Sequence, residues 1–524
     1  MKRIIISLTI CIMTFVSCAE KLNIEQQGVI SEESFYQTDE QAVEAITAVY
    51  NTWRGQYFNW FYLKNMLADD SFTGGGGRGD NSNFEMINEY RFSSASTVIS
   101  SAFSGLYSII YMSNLIVDRV VPDTDIKARV VGEAMAARAW AMTELISLLG
   151  PVPFADHVLG ADEYQLPNGD VSEMWAWVEE NLTHAANFLP SKPGVEGQSE
   201  IGARLTKEAA LAFLGKAQIF QGKYAEAAAS LKTVINSGNY ALVNDFSQVL
   251  RSSTDFGSEN IFESNSLNDN DNAWSQGTML FGLMANWRSD HLTGMPEGIW
   301  NTGWGFYNPT KTLYDAFIDM EGPQGYRLLN TIKTKDQMGG GWAFDWNTYT
   351  YTYVPITIIS PLYGNEGYLQ WKHRMPSDEV ITTSWGYSTH TNFRWMRYAE
   401  VLLLASEASL QSGDAASALI YINEVRSRAR LNPLSNVTLD DIKKEKRLEL
   451  CFEGCRYQDL VRWGDAATVL ANQGKEIPAL SADGSVSIVV TNTQYGFKTG
   501  KHELLPFPEH EMNVNKNLKQ NPGW

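Results

Sequence analysis

Two stretches share one pattern: ALAFLGKAQIFQGKYAEAAASLKTVI at 210–235 and EVLLLASEASLQSGDAASALIYINEV at 400–425. A shift of 191 residues lays Leu211 on Leu402, Ala217 on Ala408, Gly222 on Gly413, Ala227 on Ala418 and Val234 on Val425. In each copy an alanine-rich helix ends at a glycine, which takes the left-handed conformation at little steric cost, and a second helix begins within a few residues. Small residues on both helices permit close approach. The pattern predicts a pair of helical hairpins, the signature of a repeat architecture.

Further pairs extend it. An apolar-faced helix is expected over 133–149, stopped by Gly150-Pro151-Val152-Pro153, followed by one over 172–189 with Trp175, Val178, Leu182 and Ala185 on a single stripe. Segments 40–53 and 98–121 form a looser pair. The first hairpin resembles the tetratricopeptide repeat at Leu214-Gly215, Gly222 and Tyr224-x-x-Ala227, whereas the second departs from it at Ala405-Ser406 and Ala415. The fold class expected is all-α: a tetratricopeptide-like scaffold in which each pair buries a face against its neighbours, with long irregular loops and a few short strands.

Between 244 and 390 the texture changes to Gly, Asn, Asp and Trp with only short apolar runs, which reads as loops, short strands and brief helices. Eight of the 16 tryptophans lie there: Trp274, Trp287, Trp300, Trp304, Trp342, Trp346, Trp371 and Trp385. A second irregular stretch, DDSFTGGGGRGDNSNFEMINEY at 69–90, reads as a flexible surface loop. Its glycines do not form a phosphate-binding loop, because no Gly-Lys-Ser/Thr follows. Arg78-Gly79-Asp80 is a tripeptide that such a loop produces by chance.

The closing segment, LLPFPEHEMNVNKNLKQNPGW at 504–524, alternates Pro506 and Pro508 and ends on Trp524, so it is expected to dock rather than fray. Together with RLELCFEGCRYQDLVRW at 447–463 and the Pro-Thr helix start in NPTKTLYDAF at 308–317, it closely resembles the SusD/RagB family. That resemblance implies a surface lipoprotein of Bacteroidetes that binds an oligo- or polysaccharide and pairs with a SusC-like TonB-dependent outer-membrane transporter. It divides the chain into a signal peptide at 1–17, an N-terminal helical region at 18–243, a loop-rich aromatic insertion at 244–390, and a C-terminal repeat with docked tail at 391–524.

The leader fits. Lys2 and Arg3 precede an apolar run too short to span a bilayer, and Phe15-Val16-Ser17-Cys18 looks like a lipoprotein cleavage box, making Cys18 the lipidated first residue. A formal net charge of −19 opposes nucleic acid as a partner. Of four cysteines, only Cys451 and Cys455 remain outside the leader, and their spacing places both on one helix face, buried as small apolar side chains rather than as a disulfide or metal site. The charged block 443–464 is read as a helix whose Arg and carboxylate groups bridge to its neighbours while Leu448, Phe452, Leu460 and Trp463 pack inward.

Sugar recognition needs flat apolar faces for the C–H side of a pyranose and planar polar groups for its hydroxyls. Trp300 and Trp304 in EGIWNTGWGFYNP sit among glycines and polar residues, as do Trp342 and Trp346 in GGGWAFDWN. The family builds its site from loops after the first helix pair and from the mid-chain insertion. Carried onto this chain, that implies Asp69, Asp70, Arg78, Asp80 and Asn81 as polar contacts and Trp300, Trp304 and Tyr307 as the stacking platform.

No HExxH or GxSxG occurs and the seven histidines are scattered, so no catalytic residues, metal ligands or cofactors are expected. Two rival functions remain. A tetratricopeptide-type protein scaffold would not need the loop tryptophans, and a surface glycosidase would need a working carboxylate pair, which 60 acidic residues make unreadable in sequence.

Overall fold

The computed structural model describes residues 35–192, 203–269, 271, 278–279, 281–300, 302–345, 347–384 and 387–524. The leader, Cys18, Trp274, Trp346 and Trp385 lie outside them.

The scaffold is a run of antiparallel helices in which each packs on the next. In chain order they are Asp39–Met66, Thr97–Arg119, Asp125–Leu149, Val171–Phe188, Lys207–Phe220, Tyr224–Asn236, Tyr398–Gln411, Ala415–Arg428 and Leu439–Leu450. The helix Tyr224–Asn236 packs directly on Tyr398–Gln411, so the two hairpins adjoin although the whole irregular insertion separates them in sequence. Both hairpin turns use the left-handed glycine expected of them, with φ of 72° at Gly222 and 92° at Gly413. Within the first hairpin, a Cβ on Gly215 would lie 2.5 Å from the Leu231 side chain, so that position must stay small.

Side-chain caps start most of these helices. Thr38 closes a capping box with Gln41 and Thr438 one with Asp441, while Thr124, Asp170 and Thr206 accept from backbone amides of the first turn. The first helix runs beyond its expected end at Trp53 to Met66, because Trp60, Phe61, Leu63 and Met66 are all buried along the extension. The Asp125–Leu149 helix is enclosed on nearly every side, which its alanines make possible. Its buried carboxylates are matched: Glu133 by Arg129 (3.1 Å) and Arg204 (2.5 Å), and Glu144 by Lys64 (3.1 Å).

One core joins the regions on either side of positions 243 and 390, from Ala42 through Phe262 and Leu313 to Leu518. A small separate core lies mostly within the insertion, built on Trp287, Leu292, Ile356, Ile358 and Leu369 and joined by Leu480 from beyond it. There Trp287 stacks on Trp371 with ring centroids 5.9 Å apart. These two tryptophans are anchors of an irregular region, the packing role that long loops require.

The block 443–464 is not one helix. It breaks after Leu450 and resumes at Arg456–Arg462, with Phe452 (φ 66°) and Gly454 (φ 78°) in left-handed conformations between. Cys451 and Cys455 therefore flank a turn rather than share a helix face. Both thiols are buried and unpaired with each other, and burial pushes each up to about 12, which leaves them unreactive.

The structural role expected for this block is what the geometry shows. Glu449 receives Arg327 (3.1 Å), Arg397 (3.2 Å) and Arg428 (2.5 Å), and Glu453 receives Arg397 (2.6 Å) and Lys372 (2.6 Å). Burial alone would raise the Glu453 carboxyl, but Arg397 and Lys372 outweigh it and hold the group at about 2. Lys372 also donates to the carbonyls of Glu449 (2.8 Å) and Cys451 (3.1 Å), so the insertion is riveted to the last helical turn. Leu448, Phe452 and Leu460 are buried as expected. Trp463 is only half-buried, its indole N–H donating to Glu407 at 2.8 Å.

The tail docks as expected, chiefly against the early part of the chain. Leu505 and Phe507 are fully buried, and the Leu505 amide donates to the Leu148 carbonyl at 2.8 Å. Trp524 stacks on Phe92 (5.1 Å) and its indole N–H donates to the carbonyls of Lys501 (3.0 Å) and Leu504 (2.9 Å). His502 lies among Tyr90, Phe92, Phe497 and Trp524, and burial, with Lys501 and Lys498 nearby, pushes its imidazole down to about 3.

Candidate functional site

The two loops singled out in sequence meet. Leaving the first helix, the chain forms the strand Ser71–Phe72, which pairs antiparallel with Asn308–Pro309 at the end of the tryptophan loop. The Gly75 amide then donates to the Gly305 carbonyl at 2.8 Å. A Cβ on Gly74 would lie 2.1 Å from the Gly305 oxygen and 2.3 Å from Asn308 Nδ2, so only glycine allows this approach. Thr73, Gly74 and Gly75 are buried, and only from Gly76 does the segment reach the surface. The glycine run is thus a seam between two loops rather than the free surface loop expected.

Beyond the seam, Arg288 from the tryptophan loop reaches Asp80 at 3.3 Å, and Asp80 also accepts from the Gly76 amide at 2.7 Å. Arg78 is forked onto Glu89 and donates to the Tyr363 hydroxyl at 3.2 Å. Asn81 caps the short helix Ser82–Asn88 by accepting from the Phe84 amide at 3.3 Å. Arg78 and Asp80 remain exposed at the rim, each already oriented by a partner.

Asp69 and Asp70 are not contacts on that face. Arg447 pairs with both, at 2.8 and 2.9 Å, and Arg456 pairs with Asp69 at 2.8 Å. They are 8% and 2% exposed. Burial raises both carboxyls. For Asp69, Arg447 and Arg456 more than offset it and the carboxyl lies below its usual range, whereas Asp70, with Asp69 beside it, lies above. Their position after the first helix suggested loop ligands; the Arg-rich signature that binds them lies some 380 residues away, beyond the reach of local reading.

Tyr307 is likewise withdrawn. It is 1% exposed, with its ring between Tyr62 (5.7 Å) and Phe452 (5.2 Å), and burial drives its hydroxyl well above the usual range. A residue enclosed this way cannot offer a ring to a ligand.

Trp300 and Trp304 are half-buried. The Trp300 amide donates to the Met375 carbonyl at 2.7 Å, and Asn286 Nδ2 holds the Trp300 and Thr302 carbonyls at 3.1 and 3.0 Å. The Trp300 indole N–H has no partner among the described residues. Trp304 packs one side on the main core and meets Phe306 edge-on, with centroids 6.3 Å apart. The Trp300 backbone and the Trp304 ring are therefore held in position, and each ring keeps part of its surface open to solvent, as a stacking platform needs.

The insertion also carries a hairpin. Strands Gly340–Asp345 and Thr350–Pro355 pair antiparallel, placing Trp342 opposite Tyr353, and the next strand, Thr357–Ile358, pairs with Leu292–Thr293 just ahead of Trp300. Tyr349 and Tyr353 stand 76% and 55% exposed. The alternating Thr and Tyr of 348–353 was the available signal, since period-two alternation marks a strand with one open face. Among the described residues no group of His, Cys, Asp and Glu could hold a metal ion.

Comparison with known proteins agrees with this architecture. A model of the SusD family matches residues 258–524, and a second, described as starch-binding and associating with the outer membrane, matches residues 69–219. A SusD-like protein of Formosa agariphila is 24% identical over 558 residues, covering 100% of both chains. A SusD-like protein of Bacteroides ovatus is 25% identical over 486 residues, 86% of this chain and 80% of that one. A solved laminarin binding SusD-like protein superposes with a TM-score of 0.76 at 26% identity, covering 93% of this chain and all 100% of the other. The surface glycan-binding protein A of Bacteroides thetaiotaomicron, solved with laminarihexaose, shares the fold with a TM-score of 0.71 at 22% identity over 93% of this chain and 100% of that one.

Proposed function

The chain belongs to the SusD family, and from that premise we propose that it captures an oligo- or polysaccharide on the face carrying Trp300 and Trp304 and delivers it to a SusC-like TonB-dependent transporter. In this reading the mature protein is a lipoprotein held to the outer membrane through Cys18 and faces the cell exterior. It carries out no bond chemistry.

The observation that supports the reading best is the convergence of the two loops: the 69–81 segment is stitched to the 286–309 segment through strand pairing and the Gly75 to Gly305 hydrogen bond. The tryptophan loop carries two half-open rings, Trp300 and Trp304, and the rim beyond the seam carries Arg78, Asp80 and Arg288, each already oriented by a partner. Rings meet the apolar face of a sugar and the rim groups its hydroxyls. Preorganisation of this kind lowers the ordering cost of a shallow site. The laminarin-binding relative makes laminarin the first glycan to try.

Affinity electrophoresis in gels cast with laminarin and with a panel of other polysaccharides tests the binding claim. At least one glycan should retard the wild type, and Trp300→Ala or Trp304→Ala should abolish most of that retardation. Retardation that survives both substitutions moves the platform elsewhere. A reducing-sugar assay on the retained glycan should stay flat; steady product formation refutes the binding-only claim. Delivery is tested by co-purification of the lipidated protein with a TonB-dependent transporter from solubilised outer membrane.

A further inference from the structure

A groove of about 590 Å³ lies outside the loop face and shares none of its residues. Its floor is the Thr97–Arg119 helix, which sinks Phe103, Leu106, Ile109 and Ile110 into the core and turns Ser104, Tyr107, Ser108 and Tyr111 outward. That i, i+3, i+4, i+7 spacing makes one continuous stripe along the helix. One wall is the 153–166 loop with Tyr164 and Gln165, and the other is the tail helix Glu509–Val514 with Glu511.

The walls are held in place. The Tyr107 hydroxyl donates to the Pro153 carbonyl at 2.6 Å, while Asn515 Nδ2 and Asn517 Nδ2 donate to the carbonyls of Leu166 (2.7 Å) and Gln165 (2.8 Å). The tail therefore completes a cleft as well as closing the fold.

What lines the groove restricts what it can take. Tyr111 and Tyr164 are 54% and 68% exposed, large apolar rings left facing water. The side chains of Tyr111, Tyr164, Gln165 and Glu511 make no hydrogen bond or ion pair with the described residues. No Lys or Arg lines the groove, so an anionic ligand would find no counter-charge and would meet Glu511. A purely apolar occupant would strip water from the Gln165 amide and the Glu511 carboxylate without replacing it. A neutral ligand with both flat C–H faces and hydroxyls satisfies every group present.

We propose that this groove is a second saccharide-binding site, which takes a short neutral oligosaccharide between Tyr111 and Tyr164 with its hydroxyls on Gln165 and Glu511. It goes beyond the loop-face reading and does not depend on it. Two sites on one chain would let a single polymer engage twice, raising avidity without a tighter contact at either.

Isothermal titration of the mature protein with laminarihexaose, maltohexaose, cellohexaose and mannohexaose separates the two sites. At least one hexasaccharide should bind at two equivalents. Tyr111→Ala/Tyr164→Ala should remove one equivalent, or weaken it about tenfold, with Tm unchanged because both rings are exposed. Trp300→Ala/Trp304→Ala should leave the groove equivalent intact. Unaltered stoichiometry and Kd in the tyrosine variant for every hexasaccharide overturns the groove and leaves the loop face standing, and loss only in the tyrosine variant does the reverse. Protection of Tyr111 by a protein partner, with no hexasaccharide effect, also overturns it.

Discussion

Replacing Arg447 with Met separates a structural from a ligand-binding role for Asp69 and Asp70. The guanidinium lies 2.8 Å from Asp69 and 2.9 Å from Asp70, and all three side chains are 15% exposed or less. Without it Asp69 keeps Arg456, but Asp70 keeps no ion pair, only the more distant field of Arg456, and its other carboxylate oxygen already has no partner among the described residues. Breaking a buried pair by removing one partner costs about 3–5 kcal/mol. Protonation of Asp70, which burial already favours, moves the cost toward the lower end. Unfolding entropy of about 2.1 cal/mol/K per residue, taken over 524 residues, makes each kcal/mol worth roughly 1 °C. A calorimetric Tm about 3–4 °C below wild type is therefore expected for Arg447→Met. Glycan affinity should change less than about threefold, because the Ser71–Phe72 pairing and the Gly75 bond still hold the loop. An unchanged Tm with lost glycan binding would refute the reasoning and return the two aspartates to the ligand.

Three further outcomes are expected. Tyr307→Phe should leave glycan binding unchanged and stability equal or up to about 1 kcal/mol higher by chemical denaturation, since the buried hydroxyl has no partner among the described residues; lost binding would put Tyr307 back on the platform. Trp524→Ala should cost about 2–3 kcal/mol by removing the stack on Phe92 and two indole hydrogen bonds, read as a lower denaturation midpoint; no change would mean the tail is not docked. For pH, His502 is held near 3 in the fold while the unfolded chain takes up a proton near about 6.5, so the unfolded state binds more protons between those values. Its contribution is complete above about 6.5 and declines as pH falls, so His502→Gln, which keeps an acceptor for the Lys498 amide, should flatten the fall of Tm between about pH 6.5 and 4.5. Parallel slopes in the two proteins would contradict that assignment.

The scaffold was legible because its signals are local. Glycine at 222 and 413, apolar stripes such as Trp175 to Ala185, and Thr or Asp caps each act within a few residues of themselves. The site was legible in part. Loop composition pointed to two segments that the fold brings together, and backbone bonds hold Trp300 and Trp304 within one of them. Burial of Asp69, Asp70 and Tyr307 was not legible, because it depends on Arg447, Arg456 and Phe452, which only the folded chain brings near. The break between Leu450 and Arg456 was hidden for a related reason: Phe452 takes a left-handed backbone, costly for an aromatic residue, and packing on Tyr307 holds it there. Tyr349 and Tyr353 lie in a Thr/Tyr alternation, a quieter signal than the neighbouring tryptophans although an exposed tyrosine ring offers the same stacking chemistry.

The central claim is that the seam between the 69–81 and 286–309 loops presents a sugar-stacking face. A crystal structure of the protein soaked with the oligosaccharide of whichever glycan retards it in affinity gels tests this most directly. A pyranose ring is expected within about 4 Å of Trp300 or Trp304, with hydroxyls on Arg78, Asp80 or Arg288. Ordered sugar elsewhere on the molecule, with only solvent over these two tryptophans, would contradict it.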